Sequence, residues 1–98
     1  MKHFILFYDY PSDYLERRAP WRPAHLAHAR ASVARGELHL GGILNDPLDG
    51  SALVFKTASR DIVETFARND PYVVNGVATG WRVREWTTIL GADALTKV

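Results

Sequence analysis

Four side chains in this sequence suit proton transfer on an anionic molecule by their type and position: His25, Asp70, Arg18 and Arg22. His25 falls in the first turns of a segment that reads as a helix. A neutral imidazole there suits a general base, and the alternative is a surface or capping histidine. Asp70 precedes Pro71, the ordinary arrangement of a helix N-cap. Its carboxylate could instead orient an imidazole or act as the base itself. Arg18 and Arg22 carry planar guanidinium forks that match a carboxylate or an enolate, and a helix N-terminus beside them would add positive character. Solvated charge, or pairing with Glu16, explains the two arginines equally well. Gly41 and Gly42 lie inside a strand-like run, where they suit either a pocket floor or a bulge. Tyr72 and Ser51 are candidates for the pocket wall.

Other chemistries have less to stand on. His25 and His28 are three residues apart and can share a helical face, but a third ligand, His39 included, would have to come from far away, so no metal site is expected. No cofactor is expected either: there is no phosphate-binding glycine loop, zinc motif or nucleophile elbow. Trp21, Trp81 and Trp86 suit a core or an interface between copies better than a cofactor stack. With no cysteine, disulfides and thiolate nucleophiles are excluded. Twelve basic against eleven acidic residues give a net charge of +1, which makes no electrostatic case for nucleic acid or an anionic membrane. The apolar opening run Phe4–Tyr8 is too short for a signal peptide, nothing approaches a membrane span, and a cytoplasmic location is expected.

The elements that must position these residues alternate in kind. Lys2–Tyr8 is rich in aromatic and β-branched residues and reads as a strand. Asp9–Pro20 reads as a loop with a short helical turn at Tyr14–Arg18. Trp21–Arg35 reads as a helix, with Pro23 in its first turn, Leu26, Ala29 and Val33 as its apolar stripe, and Gly36 just past its end. Leu38–Leu44 and Ala52–Thr57 are strands around the turn residues Asn45-Asp46-Pro47 and Asp49-Gly50. Ser59 is placed to cap a helix through Asn69, with Ile62, Val63 and Phe66 on its inner face. A short helical turn follows from Pro71 to Gly76, then a last strand over Thr79–Ile89. One domain over residues 1–98 is expected, with a core of 1–90 and a tail of 91–98.

Strand, helix, strand, strand, helix, strand is the ferredoxin-like α+β order, an antiparallel sheet with both helices on one face. In that order the first helix begins, and the second ends, toward opposite ends of the sheet, so His25 meets Asp70 only if the long Asp9–Pro20 loop shifts the first helix, or across a dimer, or not at all. Phe4, Leu6 and Tyr8 alternate with Ile5 and Phe7, and Ala52 and Val54 with Leu53 and Phe55, so both sheet faces are apolar. A sheet face in water should be polar. A second copy of the chain, packed face to face, is the simplest cover, and a homodimer is expected.

Three segments carry a resemblance. Arg17-Arg18-Ala19-Pro20-Trp21-Arg22-Pro23-Ala24-His25-Leu26, the pair Gly41-Gly42, and Asn69-Asp70-Pro71-Tyr72-Val73 come in the order and spacing of the YCII-related family. The resemblance spans about residues 1–88. Ile43 departs from it, standing where the family usually has proline. The resemblance implies a dimeric α+β barrel and a site built on His25 and Asp70, with Arg18, Arg22, Gly42 and Tyr72 as substrate-binding candidates. The expected activity is a cofactor-independent isomerisation or elimination on a small anionic, aromatic-derived metabolite. The alternatives are a non-catalytic dimeric binding or accessory protein and, more remotely, a small oxygenase.

Overall fold

A computed structural model of the chain describes residues 1–98. Strand β1 (Lys2–Asp9) leads through a short helix α1 (Tyr14–Arg18) into α2 (Arg22–Ala34). Strands β2 (Leu38–Leu44) and β3 (Gly50–Thr57) form a hairpin, followed by α3 (Arg60–Asn69), the short α4 (Pro71–Val74) and β4 (Gly80–Trp86). The sheet order is β2-β3-β1-β4, and every neighbouring pair is antiparallel. This is the ferredoxin-like α+β architecture expected from the segment order.

Period-two patterning sets the faces of the sheet. Phe4, Leu6 and Tyr8 of β1 are buried, opposite Phe55, Leu53 and Ser51 of β3. Onto this face α3 lays Val63, Phe66 and Ala67, with the rings of Phe55 and Phe66 5.0 Å apart. Strand β3 starts two residues earlier than expected, because Gly50 pairs with Asp9. Only glycine fits there: a Cβ on Gly50 would collide with the carbonyl oxygen of Tyr8.

Three expectations need correction. The apolar stripe of α2 faces the core only through Ala29: Ser32 is the helix's buried residue, and Val33 is 54% exposed. His28 fastens α2 to α3, stacking on Phe66 and donating from Nε2 to the Phe66 carbonyl at 2.9 Å. Leu26 and Val33 instead look into a cleft between α2 and β2. Ser59 stands at the N-cap of α3 but makes no side-chain capping bond; its carbonyl accepts from the Thr57 hydroxyl at 2.9 Å. Strand β4 ends at Trp86 rather than Ile89: its last pair is Trp86 with His3, one residue from the start of β1.

Beyond Trp86 the chain turns back. Thr88 bonds to His3 at 2.7 Å through its hydroxyl, which also accepts the Leu95 N–H. The C-terminal segment therefore covers part of the second sheet face, so a second copy is not the only cover the chain can provide. The rest of that face remains apolar. Ile5, Phe7, Ala52 and Val54 are half-buried, Arg82 lies over the Phe7 ring, and Leu40 is 73% exposed. No helix is long and apolar enough to cross a membrane.

Candidate active site

The site forms at one end of the sheet. Strand β1 runs from Lys2, opposite Thr57, to Asp9, opposite Gly50. Helix α2 starts from the Asp9 end, while α3 follows Thr57 and climbs back to that same end. The N-terminus of α2 and the C-terminus of α3 therefore lie at the same end of the sheet, not at opposite ends as the element order suggested, and His25 meets Asp70 within one chain.

Local sequence fixes the carboxylate. Pro71 cannot continue α3, and the residue before a proline favours an extended backbone. Asp70 accordingly has φ −67° and ψ 125°, and its side chain caps α4 by accepting the Tyr72 N–H at 2.9 Å. One carboxylate thus both caps α4 and reaches His25. Asp70 is wholly buried and takes two further donors, the Tyr8 hydroxyl at 2.7 Å on Oδ2 and His25 Nδ1 at 2.8 Å on Oδ1. A carboxylate oxygen facing an imidazole nitrogen accepts, so Nδ1 carries the proton and Nε2 is left as the outward-facing nitrogen of the ring. Nε2 makes no hydrogen bond within the chain, and His25 lines the cleft. The imidazole lies flat on the Tyr72 ring, centroids 3.8 Å apart and 4° from parallel, which fixes its plane.

The cleft has a volume of about 440 Å³, room for one ring-sized molecule. Leu26, Ala29, Leu38 and Leu53 give it an apolar floor. Tyr10, Tyr14 and Tyr72 form an aromatic wall, Tyr10 stacked on Tyr14 at 3.8 Å and Tyr72 edge-on to both. Burial pushes the Tyr72 phenol up to about 12; Tyr14 adds to the rise, and Arg18 and Arg22 oppose it. Burial, then the charge of Asp70 and the bond to it, holds the Tyr8 phenol well above its ordinary range. Burial does the same for Tyr10, against the opposing bond to Ser51.

Arg18, Arg22 and Arg30 rim the cleft, and no acidic side chain lines it. None of the three pairs with a carboxylate; the arginine that does so on α1 is Arg17, with Asp13 at 3.0 Å. Arg18 instead donates to the Tyr14 hydroxyl at 3.2 Å and sits over its ring. Both Gly41 and Gly42 border the cleft. Register gives them different faces: Gly41 pairs with inward Leu53, and Gly42 with outward Ala52. A Cβ on Gly41 would touch Leu53 at 3.4 Å, whereas one on Gly42 would meet nothing within 4 Å.

The structure thus gathers His25, Arg18, Arg22, Gly42, Tyr72 and Ser51 around one cleft, with Asp70 behind His25. Sequence reasoning missed Tyr8, Tyr10, Tyr14 and Arg30. The available signal was a tyrosine at each second position where β1 runs out, with Tyr8 on the inward side.

The model of the YCII-related domain matches residues 1–87. Protein YciI of Escherichia coli O6:H1 is 31% identical over 83 residues, covering 76% of this chain and 85% of that protein. YciI of Shigella flexneri matches with the same values. Among solved structures, 5-chloro-2-hydroxyhydroquinone dehydrochlorinase (TftG) from Burkholderia phenoliruptrix AC1100, in complex with 2,5-dihydroxybenzoquinone, superposes with a TM-score of 0.74. It is 24% identical, over 88% of this chain and 94% of that one, a likeness of fold.

Proposed function

Since this chain belongs to the YCII-related family, we propose that it is a small enzyme that moves a proton on a ring-sized anionic substrate, in an isomerisation or an elimination. His25 Nε2 takes the proton. Asp70 holds the ring in the productive tautomer and balances the imidazolium that forms, a role for which a carboxylate behind a histidine is well suited. Arg18 and Arg22 bind the acid group and stabilise negative charge that builds up as the proton leaves. In an isomerisation His25 returns the proton to a different atom; in an elimination the electron pair left behind expels a leaving group. Both are proton transfers without net redox change, so neither requires an electron-carrying cofactor.

The observation that carries this reading is the 2.8 Å bond from His25 Nδ1 to a buried carboxylate that also accepts from Tyr8 and Tyr72. The fold neighbour, by its name a dehydrochlorinase, lends support to the elimination branch. The test is a panel of hydroxylated quinones and ring acids, followed by product chromatography and by deuterium incorporation from heavy water. Turnover by the native chain that falls at least a hundredfold in His25→Ala is the expected result. Turnover unchanged in that variant overturns the reading. A ligand that raises the melting temperature but yields no product would make the chain a binding protein.

The working form we propose is a homodimer joined through the second sheet face. Ile5, Phe7 and Val54 there are only half-covered, and Leu40 and Trp86 stand exposed around them.

A further inference from the structure

The arginines at the rim of the cleft are not bunched at one point. Arg22, Leu26 and Arg30 follow one another at four-residue intervals and form a single ridge of α2 along the cleft. Eight residues of helix separate Arg22 from Arg30 by about 12 Å along the axis. Arg18 joins Arg22 at the aromatic end, where both act on the Tyr72 phenol. Arg30 stands toward the other end, beyond His25, Leu26 and Ala29, and His39 also lines the cleft. The cleft therefore has a cationic group at each end, an apolar middle and no acidic side chain to neutralise either end.

We infer that the cleft selects ring compounds bearing two acidic groups on opposite sides, one bound by Arg18 and Arg22 and the other by Arg30. This rests on the cleft being the substrate site, and it assigns Arg30 as a specificity-determining residue. A molecule with one acidic group satisfies one end only. Its apolar body still meets Leu26 and Leu53, but Arg30 then gains no partner. The second acid–guanidinium contact is charge-assisted and, at a rim open to water, is worth about tenfold in affinity. His25 lies between the two clamps, so binding at both ends fixes the ring against Nε2 instead of letting it slide along the floor.

The test is titration calorimetry of the full chain with benzoate and benzene-1,4-dicarboxylate as probes. The native chain should bind the diacid about tenfold more tightly, with the gap narrowing as salt is raised. Arg30→Ala, an exposed change, should bring the diacid to within about twofold of benzoate while leaving benzoate binding as it was. Arg22→Ala should weaken both ligands. Equal affinities in the native chain, binding of neither probe, or a loss in Arg30→Ala shared by both ligands would overturn the inference. A catalytic failure reads differently: turnover that ignores His25 with the diacid preference intact removes only the proton-transfer reading.

Discussion

Tyr8, near the end of the first strand, donates its hydroxyl to Asp70 Oδ2 across 2.7 Å, joining the sheet to the cap of α4. The bond is wholly buried and it restrains the oxygen that also lies 3.0 Å from His25 Nδ1. Tyr8→Phe should therefore cost about 1–2 kcal/mol in denaturant unfolding. It should also lower turnover about tenfold with little change in KM, because Tyr8 acts through Asp70 and touches no substrate. A KM increase with kcat unchanged would contradict this positioning role.

Asp70 caps α4 and, in the proposed mechanism, also supports His25, and two substitutions separate the roles. Asn keeps an oxygen for the Tyr72 N–H, so Asp70→Asn should retain α4 and cost only about 1 kcal/mol of stability. It lacks the charge that balances an imidazolium, and activity should fall by about a hundredfold or more. Asp70→Ala strands three buried donors and should cost about 3–5 kcal/mol. Equal activity in the native and Asn forms would remove Asp70 from the mechanism.

Alkali should unfold the protein through its buried phenols. Tyr8, Tyr10 and Tyr72 all ionise above the ordinary value of 10.0 in the folded state, Tyr72 at about 12. The unfolded chain releases these protons first and so binds fewer of them than the native state, which makes stability fall as pH rises. Stability should be level in this respect below pH 10 and decline from there toward 12 and beyond. Urea midpoints recorded from pH 8 upward will check it. A midpoint that stays constant to pH 11.5 would contradict the burial of these side chains.

Gly50→Ala should be among the most damaging single-methyl additions in the chain. The new Cβ meets backbone at Tyr8, not a side chain that can swing away. Forcing β3 off β1 should cost about 2 kcal/mol or more, read as a drop in melting temperature. Gly42→Ala, with open space around its Cβ position, is the matched control and should be close to neutral.

The proposed dimer can be broken without touching the cleft. Trp86 lies on the open sheet face and is absent from the cleft lining. Trp86→Glu should leave the circular dichroism of the fold in place and convert a sedimenting dimer to monomer at micromolar concentration. A native chain that sediments as a monomer would dismiss the homodimer.

Legibility in the sequence followed the physics of each element. Strands β1, β2 and β3 were readable because apolar alternation and turn chemistry act locally. The bounds of β4 were not, since they depend on how much of β1 is left to pair with. The inward face of α2 was misjudged because its buried positions hold histidine, alanine and serine, while Leu26 and Val33 serve a cleft that exists only once β2 is alongside. His25 and Asp70 were recognisable as residues. Their meeting was not, because it requires following strand direction through the whole topology. Tyr8 was hidden by appearing as one more core aromatic.

The capping bond of α4 also gives the site a clock. The Tyr72 amide hydrogen is held by the same carboxylate that holds His25. Its exchange with deuterated solvent requires that hydrogen bond to open. The protection of one backbone position, read by NMR without any substrate, therefore reports how often and how long the Asp70 carboxylate lets go of its surroundings.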